Sequence, residues 1–141
     1  YAQSKYLGEV YVQDHSNDFI ICRAGWMMGG GARKDKKFIQ KIIKQIIDGK
    51  KILHVVNDKL GTPTYTVDFA NNAKLLIEKE KRGLFNMVCG GFTGRLEVTN
   101  ELLSLLNLKD SITIKEVESD FFSEEYFADR PRNNYPKNTT Y

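Results

Sequence analysis

At 141 residues, with 41% hydrophobic and 28% charged positions, the chain has the composition of one ordinary soluble domain. No apolar run reaches the length of a membrane span and no leader-like pattern opens the chain, so no membrane partner is expected and a cytoplasmic location is. A formal net charge of +3 is too small to make nucleic acid an expected partner.

Residues 1–14 read as a helix, with Tyr6, Leu7, Val10 and Tyr11 at spacings of three and four. On that helix Tyr1 and Lys5 share a face, about 6 Å of rise apart. A tyrosine alone is a poor proton donor or acceptor at neutrality, and a nearby cation favours its phenolate. The pair therefore makes an acid–base device for carbonyl/alcohol exchange. With seven tyrosines and fifteen lysines in the chain, about 0.7 such pairs are expected by chance. The context adds more. Tyr1-x-x-Ser4-Lys5-x-x-Gly8-Glu9 specifies five residues in nine. Gly8 costs about 1 kcal/mol inside a helix, which asks for a packing reason.

The polar turn Asp14–Asp18 leads to Phe19-Ile20-Ile21-Cys22, a run suited to a parallel strand buried on both faces. Arg23 closes that strand, where a structural ion pair is its simplest role. Trp26, the single tryptophan, falls in the following loop, either in the core or as a pocket wall. Gly29-Gly30-Gly31 breaks the chain and permits close approach to a ligand.

Residues 35–48 give the clearest helix. Phe38, Ile39, Ile42, Ile43, Ile46 and Ile47 form one face and Lys37, Lys41 and Lys44 the other, with Gly49 as the stop. The basic cluster Arg33, Lys34, Lys36, Lys37, Lys41 and Lys44 reads chiefly as a solvated face. Residues 52–56 read as a strand and Gly61-Thr62-Pro63 as a loop. A helix follows over 67–79, with Phe69, Ala70, Ala73, Leu76 and Ile77 inward. Then come a strand over 84–88, a helix over 95–106 capped by Thr93, and a strand with one exposed face at Ile112 and Ile114. Residues 121–127 suggest a short helix or turn. Cys22 and Cys89 sit in apolar runs and read as reduced core thiols. His15 and His54 stand alone, so no metal is expected. Alternation of strands and helices makes the fold class α/β. No glycine fingerprint for a dinucleotide opens a βα unit.

The Tyr1–Glu9 stretch resembles the Tyr-x-x-x-Lys helix of the extended short-chain dehydrogenase/reductase family. Later stretches are similar to that family in the same order. They are Arg23-Ala24-Gly25-Trp26-Met27-Met28-Gly29, Asp58–Tyr65 with Asp68-Phe69-Ala70, Gly83–Met87 with Gly90-Gly91, and Ala128–Asn133. Together they look most like the dTDP-4-dehydrorhamnose reductase branch, and only like its second half.

The resemblance implies the C-terminal part of a Rossmann-like NAD(P)-binding fold plus its smaller substrate-binding region. Residues 1–30 would carry the catalytic helix and a late strand of the dinucleotide-binding domain. Residues 31–141 would carry mostly the substrate-binding region, with the last Rossmann strand or strands. It implies hydride transfer from NADPH or NADH, held mainly by an upstream half, to the C4 ketone of a dTDP-4-keto-6-deoxy sugar. Tyr1 would supply the proton; Lys5 would lower the Tyr1 pKa and bind the nicotinamide ribose. Tyr1, Lys5, Arg23, Ala24, Gly25 and Trp26 would line the cofactor. The substrate set would be Trp26, Arg33, Lys34, Pro63, Thr64, Arg130 and Asn133. Ser4 and Glu9 would support the helix. The ketone-binding Ser or Thr of the family would lie upstream, so this chain by itself is expected to be inactive, and the parent a homo-oligomer serving polysaccharide synthesis. Three alternatives stand beside this one: an epimerase or dehydratase of the same family, a non-catalytic regulatory subunit, and an anion-binding module.

Overall fold

The computed structural model describes residues 1–34, 37–125 and 133–134. Lys36 and Arg130 lie outside the described residues.

The first helix, α1, runs over Ala2–His15 with Tyr1 as its N-terminal flanking residue. It turns back along β1 (Ile20–Arg23), which pairs in parallel with β6 (Gly83–Asn86). An ion pair between Arg82 and Asp18 ties the two strand entrances together. Beyond Arg23 the chain bends at Ala24-Gly25 into β2 (Trp26–Met28), which changes partner and pairs in parallel with β5 (Pro63–Tyr65). Trp26 therefore stands on a strand and not in a loop. Pro63 and Thr64 likewise belong to a strand. The ladder tolerates Pro63 because the neighbouring bonds are carried by Trp26 N–H to Thr62 O and Cys89 N–H to Pro63 O.

After the glycine run come α2 (Gly31–Lys34) and α3 (Phe38–Ile47). β3 (Ile52–Val56) pairs in parallel with β8 (Thr113–Val117). A three-stranded patch orders β7 (Thr93–Gly94), β4 (Leu60–Gly61) and β9 (Asn133–Asn134). The helices α4 (Thr66–Glu78) and α5 (Arg95–Leu105) complete the order, with a 3-10 turn over Ser119–Glu125. The α/β expectation holds, with parallel pairs throughout except β4 with β7.

The core forms where α3 and α5 cover β3. Ile42, Leu53, Val55, Leu103 and Ile112 are buried together, with Phe38, Ile46, Leu96, Leu102, Leu108 and Ile114 against them. Three expected inward positions face solvent instead: Ile47 at the end of α3, and Ala70 and Ile77 on α4. Only Leu76 of α4 is fully buried, because the helix rests on a narrow contact. The start of α5 is capped by the Glu97 carboxylate, which accepts the Gly94 N–H at 2.8 Å, and not by Thr93. Asp58 accepts from the Ser119 N–H and hydroxyl at 3.1 and 2.8 Å, which pins the 3-10 turn to the loop after β3.

Candidate active site

Tyr1 and Lys5 stand together at the open end of α1. The Lys5 Nζ lies 5.5 Å from the centre of the Tyr1 ring, and Lys5 N–H bonds to Tyr1 O at 3.1 Å, so the helix begins at the tyrosine itself. The phenol is 92% exposed. Ser4 donates to Tyr1 O at 2.8 Å, which supports the first turn, as expected for it. Gly8 has no packing partner among the described residues; a Cβ there would touch nothing within 4 Å.

Glu9 of α1 is bonded to Arg23 at the carboxyl end of β1, which ties the helix that begins at Tyr1 to that end of the strand. In open parallel sheets this is where ligands bind. Arg23 marks the strand end. Its Nε donates to Glu9 Oε1 at 2.9 Å and its Nη2 to Oε2 at 2.5 Å, a two-pronged ion pair. The bonds from Arg23 hold the Glu9 carboxyl below the ordinary carboxylate range, and the same bonds raise Arg23. The structural role expected for Arg23 is thus present.

Ala24, Gly25 and Trp26 lie next in the chain, locked to the 62–64 segment. Gly25 N–H donates to Thr64 Oγ1 at 2.9 Å and Trp26 N–H to Thr62 O at 2.9 Å. A Cβ on Gly25 would run into the Thr62 carbonyl, so only glycine fits this crossing. The Trp26 indole lies on Gly61, where a Cβ would come within 2.6 Å of the ring. The tryptophan is half-buried, one side spent on Gly61. Asn133 is brought beside this floor through the pairing of β9 with β4, opposite Leu60. Arg33 and Lys34 stand exposed on α2, just past three glycines that all take positive φ. Cys22 and Cys89 are free thiols, and burial pushes the Cys22 thiol up. No cluster of three potential metal ligands occurs among the described residues. No helix among them is long and apolar enough to cross a membrane.

Sequence reasoning missed Gly61 and Thr62 as the floor beneath Trp26, and Glu9 as the partner of Arg23. The Gly61-Thr62-Pro63 run carried a turn signal; its pairing with Gly25 and Trp26 is a long-range contact that no local pattern announces.

A spore coat polysaccharide biosynthesis protein, SpsK, of Bacillus subtilis (strain 168) is 28% identical over 135 residues, 96% of this chain and 44% of that protein. A crystal structure of a dTDP-4-dehydrorhamnose reductase from Yersinia enterocolitica superposes with a TM-score of 0.87 at 35% identity, covering 96% of this chain and 47% of that one. Another, from Bacillus anthracis in complex with NADP, gives 0.81 at 25% identity over 99% of this chain and 46% of that one. The chain thus spans about half the length of the relatives it matches. The RmlD substrate binding domain matches over residues 1–139. The chain belongs to that family and has its Rossmann-like α/β fold.

Proposed function

We propose that this chain forms the second half of a nicotinamide-dependent reductase that delivers hydride to the C4 ketone of a dTDP-4-keto-6-deoxy sugar. The observation that carries the reading is the exposed Tyr1 phenol with the Lys5 ammonium 5.5 Å from its ring, on a helix tied through Glu9 to the end of a parallel strand. Tyr1 and Lys5 supply a proton and a positive charge but no hydride, so they are the half-set that a reduced nicotinamide completes. NADPH or NADH, when bound, supplies that hydride. The solved Bacillus anthracis relative holds NADP, which supports this choice.

The Tyr1 hydroxyl hydrogen-bonds the ketone oxygen and gives up its proton as that oxygen gains charge. The Lys5 ammonium offsets the charge left on the phenolate and binds the nicotinamide ribose. Ala24 and Gly25, small and held by Thr62 and Thr64, leave room for the flat nicotinamide beside the main chain. Trp26, Pro63, Thr64 and Asn133 form the sugar side. Arg33 and Lys34, with Arg130, are the cations available to the diphosphate. By this division residues 1–30 serve the cofactor domain, and most of residues 31–141 the substrate region. The similarity to SpsK, a spore coat polysaccharide biosynthesis protein, supports a place in making a surface polysaccharide.

The test uses the full-length protein that carries this chain. NADPH and a dTDP-4-keto-6-deoxy sugar are mixed with it, and loss of reduced-nicotinamide absorbance is followed. Oxidation is expected, and Tyr1→Phe is expected to slow it about 100-fold or more, the usual weight of a general acid. An unchanged rate in Tyr1→Phe would overturn the assignment.

A further inference from the structure

Helix α1 carries the proton donor, yet almost nothing in the described chain holds it. Of residues 2–15 only Glu9 and Val10 are even partly shielded from solvent. Tyr6, Leu7 and Tyr11 are more than half exposed. Its one ion pair among the described residues is the two-pronged bond between Glu9 and Arg23. The Glu9 side chain is 18% exposed against 44% for Arg23, so the carboxylate sits at the bottom of the contact. Glu9 also lies on the stripe that begins with Tyr1 and Lys5, each one turn after the last.

We propose that Glu9 and Arg23 are positioning residues: their ion pair sets the swing of α1 on β1, and so fixes where Tyr1 stands relative to Ala24 and Gly25. The proposal rests on the reductase reading given above. Its force comes from leverage. Tyr1 lies eight residues from Glu9, about 12 Å along the helix axis. A swing of about 5° at Glu9 therefore moves the phenol by about 1 Å, and a displacement of that size costs up to about 100-fold in rate.

The other end of the pair is equally placed. Arg23 immediately precedes Ala24, and its carbonyl accepts the Met87 N–H at 2.8 Å, so its backbone is fixed in the β1–β6 ladder. The pair thereby joins the proton side of the reaction to the hydride side. It also argues against Arg23 as an anion ligand. The edge made by Nε and Nη2 is spent on Glu9, and the carboxylate cancels the charge that would attract a phosphate.

The test compares Glu9→Gln, Arg23→Gln and the double variant in the full-length protein. NADPH affinity is read by fluorescence titration, and kcat and KM by turnover. The expected result is kcat lowered about 10- to 100-fold in each single variant. KM and the NADPH Kd should stay within about twofold, and the double variant should be no slower than the worse single one. A weakened NADPH Kd in Arg23→Gln alone would instead make Arg23 a cofactor ligand and overturn the proposal. Wild-type kcat in all three would overturn it too. If the unsubstituted protein oxidises no NADPH, the reductase reading fails by itself. The pair is then judged by hydrogen exchange over residues 5–13: faster exchange in Glu9→Gln sustains the anchoring, and unchanged exchange ends it.

Discussion

Around β3 the chain closes on itself, and along α1 it does not. Leu53 and Val55 meet Ile42 from α3 and Leu103 from α5, and Leu53 is wholly buried. On α1 the large side chains of Tyr6, Leu7 and Tyr11 face solvent. The difference lies in the partners. Helices α3 and α5 supply two apolar faces to one strand pair, which is enough to complete a core. Among the described residues helix α1 has only a strand end and one ion pair beside it. Stability is concentrated in the first region, and the reacting groups are carried on the second.

The sharpest way to break this comparison is to cut one leucine from each region. Leu53→Ala is expected to cost about 3 kcal/mol, because it opens a cavity in a site with no room to relax. Leu7→Ala is expected to stay within about 0.5 kcal/mol, as an exposed substitution does. Urea unfolding of this chain measures both. Equal losses would mean that α1 is covered by another copy in solution.

The same contrast explains what could be read from the residues alone. The spacing of Phe38, Ile42 and Ile46 gave a helix and its buried face, since a matching face was present in the chain, and the run at Ile52–Val56 gave a strand. The stripe Tyr6, Leu7, Val10 and Tyr11 gave a helix correctly, but periodicity says which face would be covered and not whether a cover exists. Ile47 and Ile77 failed for that reason. The Tyr1–Lys5 pair was legible because it is local, one helical turn. The Glu9–Arg23 pair and the seating of Trp26 on Gly61 join residues far apart in sequence, and no local spacing encodes them.

A smaller effect separates two glycines under the site. A Cβ at Gly25 meets the Thr62 main chain, which cannot yield. A Cβ at Gly61 meets the Trp26 ring, a side chain that can turn aside. Gly25→Ala is therefore expected to destabilise by about 2 kcal/mol or more, and Gly61→Ala by about 1 kcal/mol, within the usual cost of overpacking. Trp26 is the single tryptophan, so its emission reports on the site directly. Emission should shift in Gly61→Ala while the fold persists. A Gly25→Ala protein as stable as the parent would show that the 62–64 segment is free to move.

A difference of similar size lies between two buried threonines on that segment. Thr62 and Thr64 are 1% and 3% exposed, so neither hydroxyl can turn to water. The Thr64 hydroxyl accepts the Gly25 N–H at 2.9 Å. The Thr62 hydroxyl has no hydrogen-bond partner among the described residues. Valine removes the oxygen and keeps the shape. Thr64→Val strands a shielded backbone donor and is expected to cost about 1–2 kcal/mol, whereas Thr62→Val removes a group already unpaired and is expected to be neutral or slightly stabilising. Thermal unfolding of the two variants side by side measures the gap. A loss in Thr62→Val as large as in Thr64→Val would mean that the Thr62 hydroxyl has a partner beyond the described residues. The floor beneath Trp26 would then be held from below as well as from the Gly25 side.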